Sequence, residues 1–160
     1  MAWPAMQGSI DLIAPCGIYC GLCMKYLERE LPPGITKSGP CPGCRVRNKT
    51  CAFLKKGCPY LPKRELTFCF DCPEFPCERL TRLDATYRKD YRHGLIENLE
   101  FMKEKGVDAF LARVEGEHRC NTCGHLQSIH NGFCYGCGKE TVEAYIKARN
   151  TAIRKRKTRA

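Results

Sequence analysis

The stretch APCGIYCGLC, residues 14–23, sets three cysteines in the spacing Cys16-x3-Cys20-x2-Cys23, and its reading decides the fold. Radical-SAM enzymes hold a 4Fe–4S cluster on this spacing. Such an enzyme needs a sizeable α/β barrel to carry its cofactor and keep radical chemistry away from water. Here the triplet runs into a short helical stretch, LCMKYLERE (22–30), and then into the breaker LPPGITKSGP (31–40). No alternation of apolar strands and helices follows, and 160 residues are too few for that barrel plus what lies downstream. The radical-enzyme reading is therefore rejected. No catalytic residue is assigned either, since the chain has no phosphate-cradling glycine loop, nucleophile elbow or His-Glu-x-x-His. The chain reads as a non-enzyme, with no small-molecule substrate identified.

Fourteen cysteines would suggest a disulfide framework in a secreted protein. The opening MAWPAMQGSIDLIAPCG has neither the basic nor the apolar region of a signal peptide, and no apolar run is long enough to span a membrane. The cysteines instead come in close pairs: CPGC (41–44), CFDC (69–72), CNTC (120–123) and CYGC (134–137). Two thiolates two residues apart grip one tetrahedral ion from a single turn. A cytoplasmic, metal-stabilised protein is expected, with no membrane partner.

Four regions follow. Residues 1–77 form a cysteine-rich metal-binding domain, so dense in Pro and Gly that long helices and strands are excluded. Such a segment buries too little apolar surface to offset its ordering entropy, and metal must supply the difference. Residues 78–115 are a helical segment packing on it. Leu80, Leu83, Tyr87 and Tyr91 share one helix face. A second helix is expected over 95–105 with Gly106 as its C-cap, and a third over 107–115. Residues 116–139 read as a zinc ribbon, a β-hairpin turned at Asn131–Gly132, where both turn positions need positive φ. Residues 140–160 form a basic C-terminal helix and tail. The fold class is a small metal-stabilised α+β protein: a loop-rich cysteine cluster, three short helices, a zinc-ribbon hairpin and a basic terminal helix.

Cys120, Cys123, Cys134 and Cys137 are assigned to Zn2+. Four thiolates close the coordination sphere, so this site is structural. The N-terminal ten are Cys16, Cys20, Cys23, Cys41, Cys44, Cys51, Cys58, Cys69, Cys72 and Cys77. They are expected to make two sites, one from Cys41, Cys44, Cys69 and Cys72, the other from Cys16, Cys20, Cys23 and Cys77. Cys51 and Cys58 are exchangeable into either. Thiolate spacing alone leaves Zn2+ and 4Fe–4S both open for this domain.

The formal charge of +10 is concentrated in two blocks free of acid. One, residues 37–64, contains Arg45, Arg47, Lys49, Lys55 and Lys56. The other, residues 147–160, contains Arg154, Lys155, Arg156, Lys157 and Arg159. Each four-thiolate zinc site carries a charge of about −2, so the protein is basic in patches, not throughout.

CGIYCGLC, CPGCR, KKGC and FCFDCPEFPCERL, taken in order, resemble the prokaryotic cysteine-rich domain-of-unknown-function family numbered 3795. The resemblance covers about residues 14 to 80, and some relatives carry a ribbon like Cys120 to Cys137. It implies metal binding through these cysteines and no particular activity. The basic tail lies outside the family pattern. Two functions are weighed. In one, a non-catalytic metal-scaffolded module docks on RNA or a ribonucleoprotein such as the ribosome through the two basic blocks. In the other, an iron–sulfur protein serves as electron carrier, redox sensor, or small subunit or assembly factor of a larger complex.

Overall fold

The computed structural model describes residues 10–36, 39–47, 57–63 and 65–159. The described residues form helices α1 (Met24–Leu27), α2 (Cys44–Arg47), α3 (Glu78–Tyr91), α4 (Leu95–Lys105), α5 (Val107–Glu117) and α6 (Lys139–Thr158). Single 3-10 turns such as Cys20–Leu22 and Cys69–Asp71 punctuate the cysteine-rich region, as its proline and glycine content requires. The short helix expected after the triplet is α1, followed at once by a 3-10 turn and then by the prolines.

The three middle helices follow from their apolar spacing. Leu80 and Leu83 of α3, Leu95 and Leu99 of α4, and Phe110 and Val114 of α5 are buried in one core. Helix α3 stops where Arg92 turns left-handed at φ 52°; its N–H reaches Arg88 O and that of His93 reaches Tyr87 O. These bonds satisfy carbonyls that the last turn would leave over. Helix α4 has no side-chain cap of its own at Gly94. Asp84 from α3 fills the role, its Oδ1 accepting the Ile96 N–H at 2.9 Å. Gly106, at φ 91°, then ends α4 and starts α5 with no intervening loop.

The cysteine-rich segment lies directly on this layer and shares its core through Ile13, Cys16, Tyr19, Leu22 and Phe68. The approach is closest at Gly17, which has φ +89°. A Cβ there would sit 2.8 Å from Leu95 O, while Asn98 Nδ2 donates to Gly17 O at 3.1 Å. Tyr19 adds a second tie, its hydroxyl donating to Glu115 Oε1 at 2.7 Å.

The expected C-terminal β-hairpin does not form. Among the described residues β pairing consists of isolated bridges, Ile13 with Tyr19, Arg119 with Leu126, and Gln127 with Cys134. The chain changes partner too quickly for a ladder. The Cys120 N–H reaches His125 O and the Gln127 N–H reaches His118 O, whereas one residue later the Ser128 N–H reaches Phe133 O. The turn also differs from expectation. Of Asn131 and Gly132 only the glycine has positive φ, at 72°. Asn131 Oδ1 instead accepts the Phe133 N–H at 3.1 Å, and the Gly132 N–H closes a wider loop onto Ser128 O. Among the described residues the α+β class thus gives way to a mostly helical structure with almost no strand.

A second, smaller core of Leu27, Leu31, Tyr135, Val142 and Ile146 joins α1, the C-terminal cysteine region and the start of α6. Beyond Ile146 helix α6 leaves the body, and residues 151–159 are all exposed. No helix among the described residues is long and apolar enough to cross a membrane.

Candidate metal centres

Cys120, Cys123, Cys134 and Cys137 bring their sulfurs within 4.8 Å of one another. Cys120 Sγ lies 3.7 Å from Cys137 Sγ, and Cys123 Sγ 3.4 Å from Cys134 Sγ. A zinc tetrahedron with Zn–S bonds of about 2.3 Å has edges of about 3.8 Å, so the quartet has the dimensions of a single-ion site. Local backbone geometry builds it. In each Cys-x2-Cys turn the first sulfur accepts N–H groups from two and three residues on: Thr122 and Cys123 for Cys120, Gly136 and Cys137 for Cys134. Such donors favour the thiolate. They draw Cys120 down to about 6, while Cys137, crowded by the sulfurs of Cys123, Cys120 and Cys134, is pushed up to about 12. Four thiolates this close repel, and a divalent cation removes the conflict. The residues therefore fit a metal ion, with no ligand position left open for substrate.

The nearby histidines serve packing. His130 Nδ1 accepts the Met24 N–H at 3.3 Å, its Nε2 faces the Tyr87 hydroxyl at 3.4 Å, and its ring stands edge-on to Tyr91. With the Ile129 N–H on Leu22 O, these contacts hold the C-terminal cysteine region to the body. His118 Nδ1 lies 2.9 Å from Val114 O. The ring of His125 packs on Gly136, where a Cβ would come within 2.5 Å of it. Only glycine fits at that position of Cys-Tyr-Gly-Cys.

The thirteen described cysteines carry no disulfide; Cys51 lies outside the described residues. Nine N-terminal cysteines remain and separate into two groups. In the first, Cys20 Sγ accepts the Cys44 N–H at 3.3 Å. Cys16 and Cys23 act electrostatically on Cys20, and Cys41 and Cys44 on Cys23. Hydrogen bonding from Cys44 lowers the Cys20 thiol, whereas burial raises Cys23 against the pull of the Lys25 and Tyr26 N–H groups. In the second group Cys58, Cys69, Cys72 and Cys77 line one cavity of about 40 Å³. Burial, with the nearby sulfurs of Cys77 and Cys58, pushes Cys69 up to about 12. Cys77 is the N-cap of α3, the helix start expected for it.

The expected pairing set Cys41 and Cys44 with Cys69 and Cys72, and Cys77 with the triplet; here Cys41 and Cys44 lie beside the triplet, and Cys77 lies with Cys69 and Cys72. The Cys41 N–H bonds Lys25 O at 2.9 Å, which returns the CPGC turn to the triplet's own helix. Cysteine spacing carries no signal for that backbone contact. Cys58, an exchangeable extra in the sequence reading, belongs to the second group.

The two basic blocks also separate. Arg45 Nε donates to Ile13 O at 2.6 Å, its Nη2 donates to Thr67 O at 2.7 Å, and its guanidinium lies over the Phe68 ring. Arg45, expected as a nucleic-acid contact, thus staples two chain segments between the cysteine groups. Lys49, Lys55 and Lys56, like the side chain of Arg47, fall outside the described residues. Arg154, Lys155, Arg156 and Lys157 stand exposed on the last turns of α6, and exposed Arg159 follows.

Residues 12–82 match the model of a family described as Protein of unknown function (DUF3795). No curated protein and no solved structure matches the chain.

Proposed function

We propose that this chain, whose residues 12–82 belong to that family, is a non-catalytic metal-scaffolded module that docks on RNA or a ribonucleoprotein such as the ribosome through its C-terminal helix. The observation that carries this reading is α6. Val142 and Ile146 anchor its first two turns, and the rest extends into solvent with cations and no acid. At about 1.5 Å per residue, the twelve residues beyond Ile146 make an arm of about 18 Å. Neighbouring like charges on a solvated helix repel by a few tenths of a kcal/mol each. A phosphate backbone relieves that repulsion and releases its counterions. One zinc ion in the Cys120–Cys137 quartet would keep the base of the arm rigid. Such a module works in the cytoplasm, alone or within a larger complex.

The test is titration of the full chain with single-stranded RNA at several salt concentrations, beside a Lys155→Gln, Arg156→Gln, Lys157→Gln variant. Each lost phosphate contact lowers the log–log salt slope by about 0.7, so the triple variant should lose about two units. Binding that ignores salt, or a variant with an unchanged slope, would refute the reading.

A further inference from the structure

We infer that Cys58, Cys69, Cys72 and Cys77 hold an iron–sulfur cluster, not a single zinc ion. This deepens the metal-scaffold part of the proposed function and is independent of its RNA-binding part. The four residues come from separate pieces of chain: Cys58 from the turn before Leu61–Lys63, Cys69 and Cys72 from the two ends of a 3-10 turn, and Cys77 from the cap of α3. All four residues line a space of about 40 Å³.

Two features set this space apart from a single-ion site. One zinc at about 2.3 Å from four sulfurs draws them into a tight tetrahedron, as in the C-terminal quartet. The four sulfurs here are not gathered within 4.8 Å of one another, although the same chain achieves that elsewhere. The free volume also exceeds what one water needs, which is roughly 10–15 Å³. A core of irons and sulfides, ligated once by each cysteine, has the size to fill it.

The surroundings suit such a group. Buried Leu61 and Leu80 and half-buried Phe75 give the lining an apolar part, beside the polar Glu74 and Arg79. Four thiolates around a 4Fe–4S core leave a charge of about −2, which needs positive potential nearby. The N-terminus of the fourteen-residue α3 opens on Cys77, and Arg79 lies on the same wall, its guanidinium against Gly57. Cluster binding requires only that the four thiols give up their protons to solvent.

The experiment compares wild type and Cys69→Ser, both isolated without oxygen from iron-supplemented cells, for iron, acid-labile sulfide and zinc per chain. Loss of about four irons and four sulfides in the variant, with helical circular dichroism retained, is expected. Equal iron and sulfide in the two proteins would overturn the inference, as would a wild type that holds zinc and no sulfide. Should Cys69→Ser fail to fold, the iron X-ray absorption edge of the wild type decides. A short iron–iron shell supports the cluster, and sulfur neighbours alone refute it. RNA binding plays no part in these readouts, so failure here leaves the α6 reading standing.

Discussion

The quartet of Cys120, Cys123, Cys134 and Cys137 gathers its sulfurs within 4.8 Å, whereas Cys58, Cys69, Cys72 and Cys77 stand around a cavity. The ligands are alike in chemistry; what holds them differs. In the C-terminal quartet each pair sits on one tight turn whose own N–H groups aim the sulfurs inward, with the small core of Tyr135, Val142 and Ile146 behind. In the second set the cysteines are spaced by elements already fixed in the main core through Leu61, Phe68 and Leu80. Local hydrogen bonding can draw ligands together to suit one ion. Tertiary packing sets the separation before any metal enters.

The largest effect that would break the comparison is expected from Cys123→Ser. Three sulfurs bind a structural ion poorly, and zinc-coupled folding is worth about 10–16 kcal/mol in small zinc-finger peptides. The variant should lose the C-terminal ion and let amides of residues 118–146 exchange rapidly, while those of 95–114 stay protected. Hydrogen exchange read by mass spectrometry checks this; loss of protection in both regions would mean that the two are one cooperative unit.

Leu80→Ala acts on the opposite side. Leu80 is fully buried and also walls the cavity, so truncation should cost about 2–5 kcal/mol in urea denaturation. Metal content of the C-terminal quartet should not change.

A smaller effect comes from pH. His93 is buried, its Nε2 3.0 Å from Asn98 Nδ2, which also holds Gly17 O. Burial first, then the neighbouring His118, His130 and Arg113, holds its imidazole down from 6.5 to about 4. Between those values the unfolded chain binds a proton that the folded one refuses. The stability His93 contributes as a neutral ring is therefore whole above pH 6.5 and is lost as pH falls toward 4, by at most about 3 kcal/mol. His93→Gln should flatten that slope for the main core, measured by urea denaturation between pH 7 and 4. An unchanged slope would assign the acid sensitivity to the cysteine sites instead.

Several elements were legible because their signals are local. Leu80 and Leu83 recur at helical spacing and α3 starts at Glu78; Gly106 does cap α4; Cys120-x2-Cys123 and Cys134-x2-Cys137 do converge. The family pattern read over about 14 to 80 is matched over 12–82. The features that came out differently depend on side-chain bonds that residue type and spacing do not carry. Asn131–Gly132 has the composition of a two-residue turn, yet the Asn131 side chain bonds Phe133 and Tyr135 and the loop opens wider. Arg45 sits in a block read from charge alone, and its bonds to Ile13 O and Thr67 O carry no signal in that composition.

The sequence by itself determined the helices, the converging quartet and the cationic arm of α6, since each rests on spacing within one turn or one helix. Only the tertiary structure decided that Cys44 meets Cys20 and that Cys69 shares a cavity with Cys58 and Cys77. Every thiol offers the same chemistry to every other, so the choice falls to the backbone contacts that place them: Cys41 N–H on Lys25 O, and Cys69 N–H on Pro15 O.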